Sequence, residues 1–350
     1  MRRRTLAVES VIKPDDSSRS AVAGSAPAYA ELYCRSSFSF GVGASQPEEL
    51  VARAHALGYA ALALTDECSV AGMVRAHVEA KKRGLKLLPG AEFVVPLTAP
   101  ARLGGHAQNG VTAVVQSVSF TLVALPRDLA AWGDLCEFIT AARRSAPKGQ
   151  YQVAWPDPSW ARLQGCEVLL VLQNAITLEA ACAITNWARG QFGINCWLAL
   201  AQLLQADDAL LWHKLHQVAQ RTQVPLVAVG SVLMHLRSRK PLQDVLTAVR
   251  LGQPLADCGL ALQPNAEAHL RSRARLAQIY PPELLANTCT VAARCQFSLD
   301  EFATNIPSRR CCPARPRRKR CGNSPSRAPP GATHKACPLA CNSSWRTSWR

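Results

Sequence analysis

No stretch of this 350-residue chain is apolar over the roughly 18–20 positions that a membrane-spanning helix requires. The longest nearly apolar runs, 168–172 and 196–204, are far shorter. The basic start Met1-Arg-Arg-Arg is not followed by an apolar signal core, and Glu9, Asp15 and Asp16 do not suit an acid-poor targeting peptide. Together these absences predict a cytoplasmic chain with no membrane association. There is no Cys-x-x-Cys pair among the fourteen cysteines. Nine lie singly in the body of the chain, mostly in apolar patterns such as those around Cys136, Cys182, Cys196 and Cys289. That usage predicts reduced packing thiols and offers no paired spacing for a zinc site. A Gly-x-x-x-x-Gly-Lys-Ser/Thr loop and a Gly-x-Ser-x-Gly elbow are also missing, as is a nucleophile with a recognisable base. Finally, residues 307–350 contain no acid and eleven Lys and Arg. The net charge of +16 is therefore mostly a property of that segment. With +2 in residues 1–27, only +3 remains for 28–306, so the basic pI is no argument for nucleic-acid binding by the globular part.

What is present is an alternation of strand-like and helix-like segments. Residues 28–34 read as a short strand. Ser45-Gln46-Pro47-Glu48 reads as a capping box opening a helix that Gly58 ends. Residues 60–65 form a continuous apolar run of the kind found in parallel strands buried on both faces. A second helix spans 69–83, and short strands at 85–88 and 93–95 flank Pro89-Gly90-Ala91-Glu92. Strands are predicted at 114–125, 168–172, 196–200 and 226–229, and helices at 129–144, 178–192 and 207–222. This order is that of an α/β fold with right-handed crossovers, either a barrel or a wound sheet. From residue 241 the pattern turns helical, at 242–251, 267–279 and 281–295. Residues 1–27 lack a sustained period and read as disordered. After Ile306 neither aliphatic residues nor a period persists. One reading is a basic nucleic-acid arm. The preferred reading is a slipped frame, because Arg, Pro, Cys, Ser and Trp enrichment is what a GC-rich gene yields out of frame.

The words YAEL-x-C-x-S-x-FSF at 29–40, GAS-x-PEEL at 43–50, ALTDECS-x-AG at 63–72, RAHVEAKKRGL at 75–85 and GAEF at 90–93 resemble one family. So do MHLRSRKPLQDVLTAVRLG at 234–252 and ALQPNAEAHLRSR at 261–273. The family is the bacterial error-prone DNA polymerases, C-family paralogues of the polymerase III alpha subunit, and the resemblance covers about 28–301. It implies a distorted PHP-type (polymerase and histidinol phosphatase) β/α barrel over 28–240. It further implies a helical extension over 241–305 leading toward the polymerase palm, then the disordered basic tail 306–350. In active PHP relatives, His, Asp and Glu at strand ends hold metal ions that generate hydroxide and clamp phosphate oxygens.

This chain departs from that pattern. Where the family has His-x-His after the first strand, it has Tyr33-Cys34-Arg35. Where Asp-His is expected it has Asp66-Glu67. Glu92 is retained, whereas Gly-Asp-x-His has become Gly230-Ser231-Val232-Leu233. The surviving candidate ligands are Asp66, Glu67, Glu92 and His235, a thin set for one metal. Against that stand plainer readings. Asp66 suits a turn or cap, Glu67 a solvated loop and His235 a surface position, while Arg35 suits a guanidinium that replaces metal charge and pairs with Glu92. Arg237, Arg239 and Lys240 are candidate contacts to nucleic acid or a partner, with a solvated turn as the alternative. The resemblance implies DNA and polymerase accessory proteins as partners, and Mg²⁺ as a cofactor, for the full-length family. The palm that would carry nucleotidyl transfer lies beyond the matched region. The expectation is thus a truncated, scaffolding fragment with no cofactor of its own. Its rivals are a residual Zn²⁺- or Mn²⁺-dependent phosphoesterase or 3′–5′ exonuclease, and a nucleic-acid binder working through the basic tail.

Overall fold

Several strands are uninterrupted apolar runs because both faces of their sheet are covered. In the computed structural model, which describes residues 26–97 and 118–302, seven strands join in the order β1 to β7. They are β1 (Ala30–Glu31), β2 (Ala61–Glu67), β3 (Lys86–Pro96), β4 (Ser119–Pro126), β5 (Cys166–Leu172), β6 (Cys196–Ala201) and β7 (Leu226–Val229). β1, β2 and β3 pair in parallel, as do β5, β6 and β7. β4 runs antiparallel to both of its neighbours. The ends of the series meet. Cys34 forms a parallel bridge with Val232, and the Arg35 N–H donates to the Val232 carbonyl at 2.9 Å. The result is a nearly closed barrel, in keeping with the α/β expectation.

Side-chain alternation separates two apolar layers. Ala63, Leu88, Val123, Leu169, Trp197 and Val227 belong to an inner cluster that fills the barrel. Residues of the opposite parity, among them Leu62, Phe93, Leu122 and Leu198, pack outward against the helices. Each such fully buried Leu or Phe contributes about 1.5–3 kcal/mol relative to its exposed state. The covering helices are α1 (Pro47–Ala56), α2 (Met73–Arg83), α3 (Leu129–Arg144), α4 (Leu178–Phe192) and α5 (Asp208–Thr222). Three more follow: α6 (Lys240–Leu251), α7 (Arg273–Ile279) and α8 (Pro282–Arg294).

Helix α8 seals the seam between β1 and β7. Thr288 Oγ1 accepts from the Ala30 N–H at 3.1 Å, and Asn287 donates to the Leu226 carbonyl at 2.8 Å. Val291, Ala292 and Cys295 join the inner cluster. The last turn is tied down by Lys86, whose ammonium donates to the Ala292 carbonyl at 2.6 Å. All described residues lie within one compact unit.

Local differences from the sequence reading have physical causes. The two strands expected around Pro89-Gly90 are one strand, β3. Gly90 permits it, since a Cβ there would fall 2.5 Å from Leu125 Cδ2 and 2.8 Å from the Ala124 carbonyl oxygen. The cap of α1 is Gln46, not Ser45, and its N–H donates to the Glu49 carboxylate at 2.9 Å. Helix α2 starts at Met73 rather than 69, because Cys68 turns the chain with φ 44°. The helix expected at 267–279 occupies only Arg273–Ile279. Ser272 caps it, and His269 upstream bridges to Met234. The expectations for residues 1–25, 114–117 and 303–350 lie outside the described residues. No helix among the described residues is long and apolar enough to cross a membrane.

Candidate functional site

Parallel strands deliver their C-terminal ends to one mouth of a β/α barrel, where this architecture keeps its chemistry. Here the mouth receives Tyr33 and Arg35 after β1, Asp66 and Glu67 at the end of β2, Glu92 within β3, and Ser231 after β7. The β2–β3 register sets Glu67 beside Glu92.

Glu92 is the centre of the mouth and is 1% exposed. One carboxylate oxygen accepts a short hydrogen bond from the Tyr33 hydroxyl. The other lies 3.6 Å from Arg35 Nη1. Arg35 Nη2 also donates to Ser231 Oγ at 3.2 Å, and the guanidinium lies 4.9 Å from the centre of the Tyr33 ring. Arg35 Nε is buried with no acceptor among the described residues. Burial raises the Glu92 pKa, and the Arg35 charge and the Tyr33 hydroxyl pull it back down. Burial likewise pushes the Tyr33 phenol well above its ordinary value. A guanidinium and a phenol thus engage the two oxygens of the Glu92 carboxylate.

Asp66 is committed elsewhere. Its oxygens accept from the Ser36 N–H at 2.8 Å, the Ser36 hydroxyl at 2.7 Å and the Ser39 hydroxyl at 2.8 Å. It fixes the loop after β1, and it is not the cap of α2, which begins after Gly72. Burial raises its pKa against the pull of those donors. Glu67 is half-buried and accepts from the Tyr151 hydroxyl at 2.9 Å, while its carbonyl accepts from Arg143 at 3.0 Å.

His235 sits apart from this group. Its Nδ1 lies 2.7 Å from Ser45 Oγ and 3.8 Å from Glu49 Oε2, at the start of α1. Desolvation lowers its pKa. The structure therefore gathers Asp66, Glu67, Glu92 and Arg35 at one mouth and leaves His235 outside it. Among the described residues no three of His, Cys, Asp and Glu gather in a way that would hold a metal. With Glu92 engaged by Tyr33 and Arg35, and Asp66 by three serine donors, the residues present do not fit the metal cluster that PHP relatives use.

The basic candidates are each paired with an acid. Arg237 bonds Glu267, Arg239 bonds Glu49, and Lys240 bonds Asp244 one turn on. Arg237 and Arg239 thereby tie the turn before α6 to Glu267 and to α1, and the Lys240–Asp244 pair lies within α6. Sequence reasoning placed Tyr33 at a strand end but gave it no role, noted Ser231 only as the place of a lost ligand, and passed over Ser36, Ser39 and Tyr151. A hydroxyl on a loop carries no signal of its own. Only the register that brings β1 beside β2 and the stretch after β7 shows what these groups touch.

The family model described as the PHP domain matches residues 31–182. An error-prone DNA polymerase from Ralstonia nicotianae is 44% identical over 293 residues, which is 80% of this chain and 26% of that one. An error-prone DNA polymerase from Burkholderia mallei is 42% identical over 295 residues, or 82% of this chain and 27% of that one. The chain thus spans about a quarter of the length of the curated relatives it matches. Among solved structures, an amidohydrolase from Chromobacterium violaceum aligns at a TM-score of 0.38. Its identity is 15%, with 58% of this chain and 86% of that chain covered.

Proposed function

Because this chain belongs to the error-prone DNA polymerase family and carries its PHP domain, we propose that the barrel is a non-hydrolytic scaffold within a DNA-synthesising protein. The observation that carries this reading is the state of Glu92. A buried carboxylate in a metal-hydrolase mouth is held by a phenol and a guanidinium instead of a cation. Metal-assisted phosphoester hydrolysis needs free ligands converging on one or two ions and an open position for water. Here the buried acid at the centre has both oxygens engaged, and Asp66 accepts three hydrogen bonds from Ser36 and Ser39 in the loop after β1.

On this reading the mouth gives rigidity. Arg35 links β1 to Glu92 in β3 and to Ser231 beyond β7, so one side chain spans the closure of the barrel. The polymerase activity of the longer relatives, and DNA as their substrate, come to this chain only as part of this proposal, with the barrel supporting the parts that act on DNA.

The test is hydrolysis. Incubating the protein with Mn²⁺ or Zn²⁺ and an end-labelled primer should release no nucleotide above a metal-only control. Release that depends on added metal and vanishes in Glu92→Ala would replace the scaffold with a residual nuclease.

A further inference from the structure

Beside the mouth, but outside the Tyr33–Glu92–Arg35 network, lies a cavity of about 380 Å³ walled by Phe38, Phe40, Glu67, Arg143, Gln150 and Tyr151. Its volume falls within the ~300–1,000 Å³ range of small-ligand sites. We propose that this cavity binds a single unstacked nucleobase, with Phe40 as its stacking face and Glu67 and Gln150 reading its edge.

Three observations lead there. First, Phe40 is 82% exposed, although its loop is fixed. Ser36 and Ser39 are both bound to Asp66, and Ser39 Oγ also accepts the Glu67 N–H at 3.0 Å. An apolar ring held in water by a rigid loop is a preorganised platform, because little conformational freedom remains to be lost when a ligand stacks on it. Second, the polar groups are of both kinds. The Tyr151 hydroxyl occupies Glu67 Oε1, and Glu67 Oε2 has no hydrogen bond to a described residue. The exposed Gln150 amide supplies a donor and an acceptor. A heteroaromatic base presents adjacent donors and acceptors in one plane with a π-face above it, which matches this set. An aliphatic ligand would leave the carboxylate unanswered, and an isolated phosphate would meet its negative charge. Third, Arg143 is anchored with its guanidinium on the Glu67 and Cys68 carbonyls and lies 5.4 Å from the Tyr151 ring centre. It ties α3 to the backbone at the end of β2, and the Tyr151 hydroxyl orients the Glu67 carboxylate.

The probes are uncharged deoxynucleosides (deoxyadenosine, deoxycytidine, thymidine), with deoxyribose as the sugar-only control. The full chain is used, and because the probes carry no charge the basic segment 307–350 has no ionic hold on them. Saturation-transfer NMR and titration should show that the nucleosides bind and deoxyribose does not. Phe40→Ala should weaken binding about tenfold or more, the effect typical of removing a stacking aromatic. Gln150→Ala, at an exposed position outside the core, should change the order of preference among the bases. Absence of nucleoside binding, or binding that neither substitution alters, would overturn the proposal. Neither Phe40 nor Gln150 touches Tyr33, Arg35 or Glu92, so that outcome would leave the scaffold reading of the mouth standing.

Discussion

Replacing Arg35 by Met removes the one cation that pairs with Glu92 among the described residues and leaves most of the side-chain volume. Breaking a fully buried ion pair from one side costs about 3–5 kcal/mol, since the other charge is left without compensation. Arg35 retains 18% side-chain exposure, and its closest approach to Glu92 is 3.6 Å. The Tyr33 hydroxyl remains in place. The cost at neutral pH should accordingly be smaller, about 2–3 kcal/mol. It should also depend on pH in a definite direction. Burial raises the Glu92 pKa and Arg35 lowers it, so the variant raises it further. A carboxyl whose folded pKa exceeds its unfolded one contributes stability that is present below the unfolded pKa and lost as pH rises through the folded pKa. Because the pKa of Glu92 is raised, the penalty of Arg35→Met should therefore be larger at about pH 7.5 than at about pH 5, since lower pH favours the protonated carboxyl that needs no countercharge. Urea unfolding of wild type, Arg35→Met, Glu92→Gln and the double variant at both pH values supplies the cycle. The double variant should be much less destabilised than the sum of the singles, because it buries no unpaired charge. A penalty independent of pH, together with strict additivity, would refute the pairing as the reason for the substitution pattern at the mouth.

Three further outcomes follow from the same geometry. Asp66→Asn turns an amide donor toward serine donors, so about 2 kcal/mol of stability should be lost, and amide exchange should rise within 36–45 but not within α8. Thr288→Val leaves the buried Ala30 N–H without its acceptor and should cost about 1–3 kcal/mol in urea unfolding. The triple variant Arg237→Ala, Arg239→Ala and Lys240→Ala removes charges already paired with Glu267, Glu49 and Asp244. DNA affinity of the full chain should change by less than about twofold, as expected for charges whose field is locally cancelled. A large loss with a shallower salt dependence would show instead that these residues contact phosphate.

Much of the barrel is legible in the sequence because its strands and helices follow simple rules. The helices predicted at 129–144 and 178–192 occupy Leu129–Arg144 and Leu178–Phe192, where an Asp128 or Thr177 cap precedes a regular apolar period. The strand predicted at 226–229 is Leu226–Val229. Legibility fails where tertiary contact overrides a local signal. Pro89-Gly90 looks like a break, yet Gly90 is what lets β3 lie close to β4. Ser45 looks like a helix cap, yet its hydroxyl serves His235. Residues 267–272 continue a helical-looking pattern, yet they are not helical because Ala268 and His269 pair with the chain after β7.

The mouth divides the same way. Motif positions in the sequence indicate which residues reach it, since strand ends are predictable. They do not indicate that the Tyr33 hydroxyl reaches Glu92 across 59 residues, or that two serines absorb Asp66. Nor does proximity in sequence reveal that Arg237 and Arg239 are neutralised by acids thirty and 190 residues away. These are long-range side-chain contacts with no periodic trace.

The central claim is that a guanidinium and a phenol have taken the place of metal at this mouth. Mn²⁺ binding followed by electron paramagnetic resonance tests it most directly, because a hard cation seeks carboxylates and is poorly held by the cysteines. Titration of the full chain should leave the spectrum of free Mn²⁺ unchanged by Glu92→Gln, with no saturable site at the mouth. A saturable Mn²⁺ site that Glu92→Gln abolishes would contradict the account.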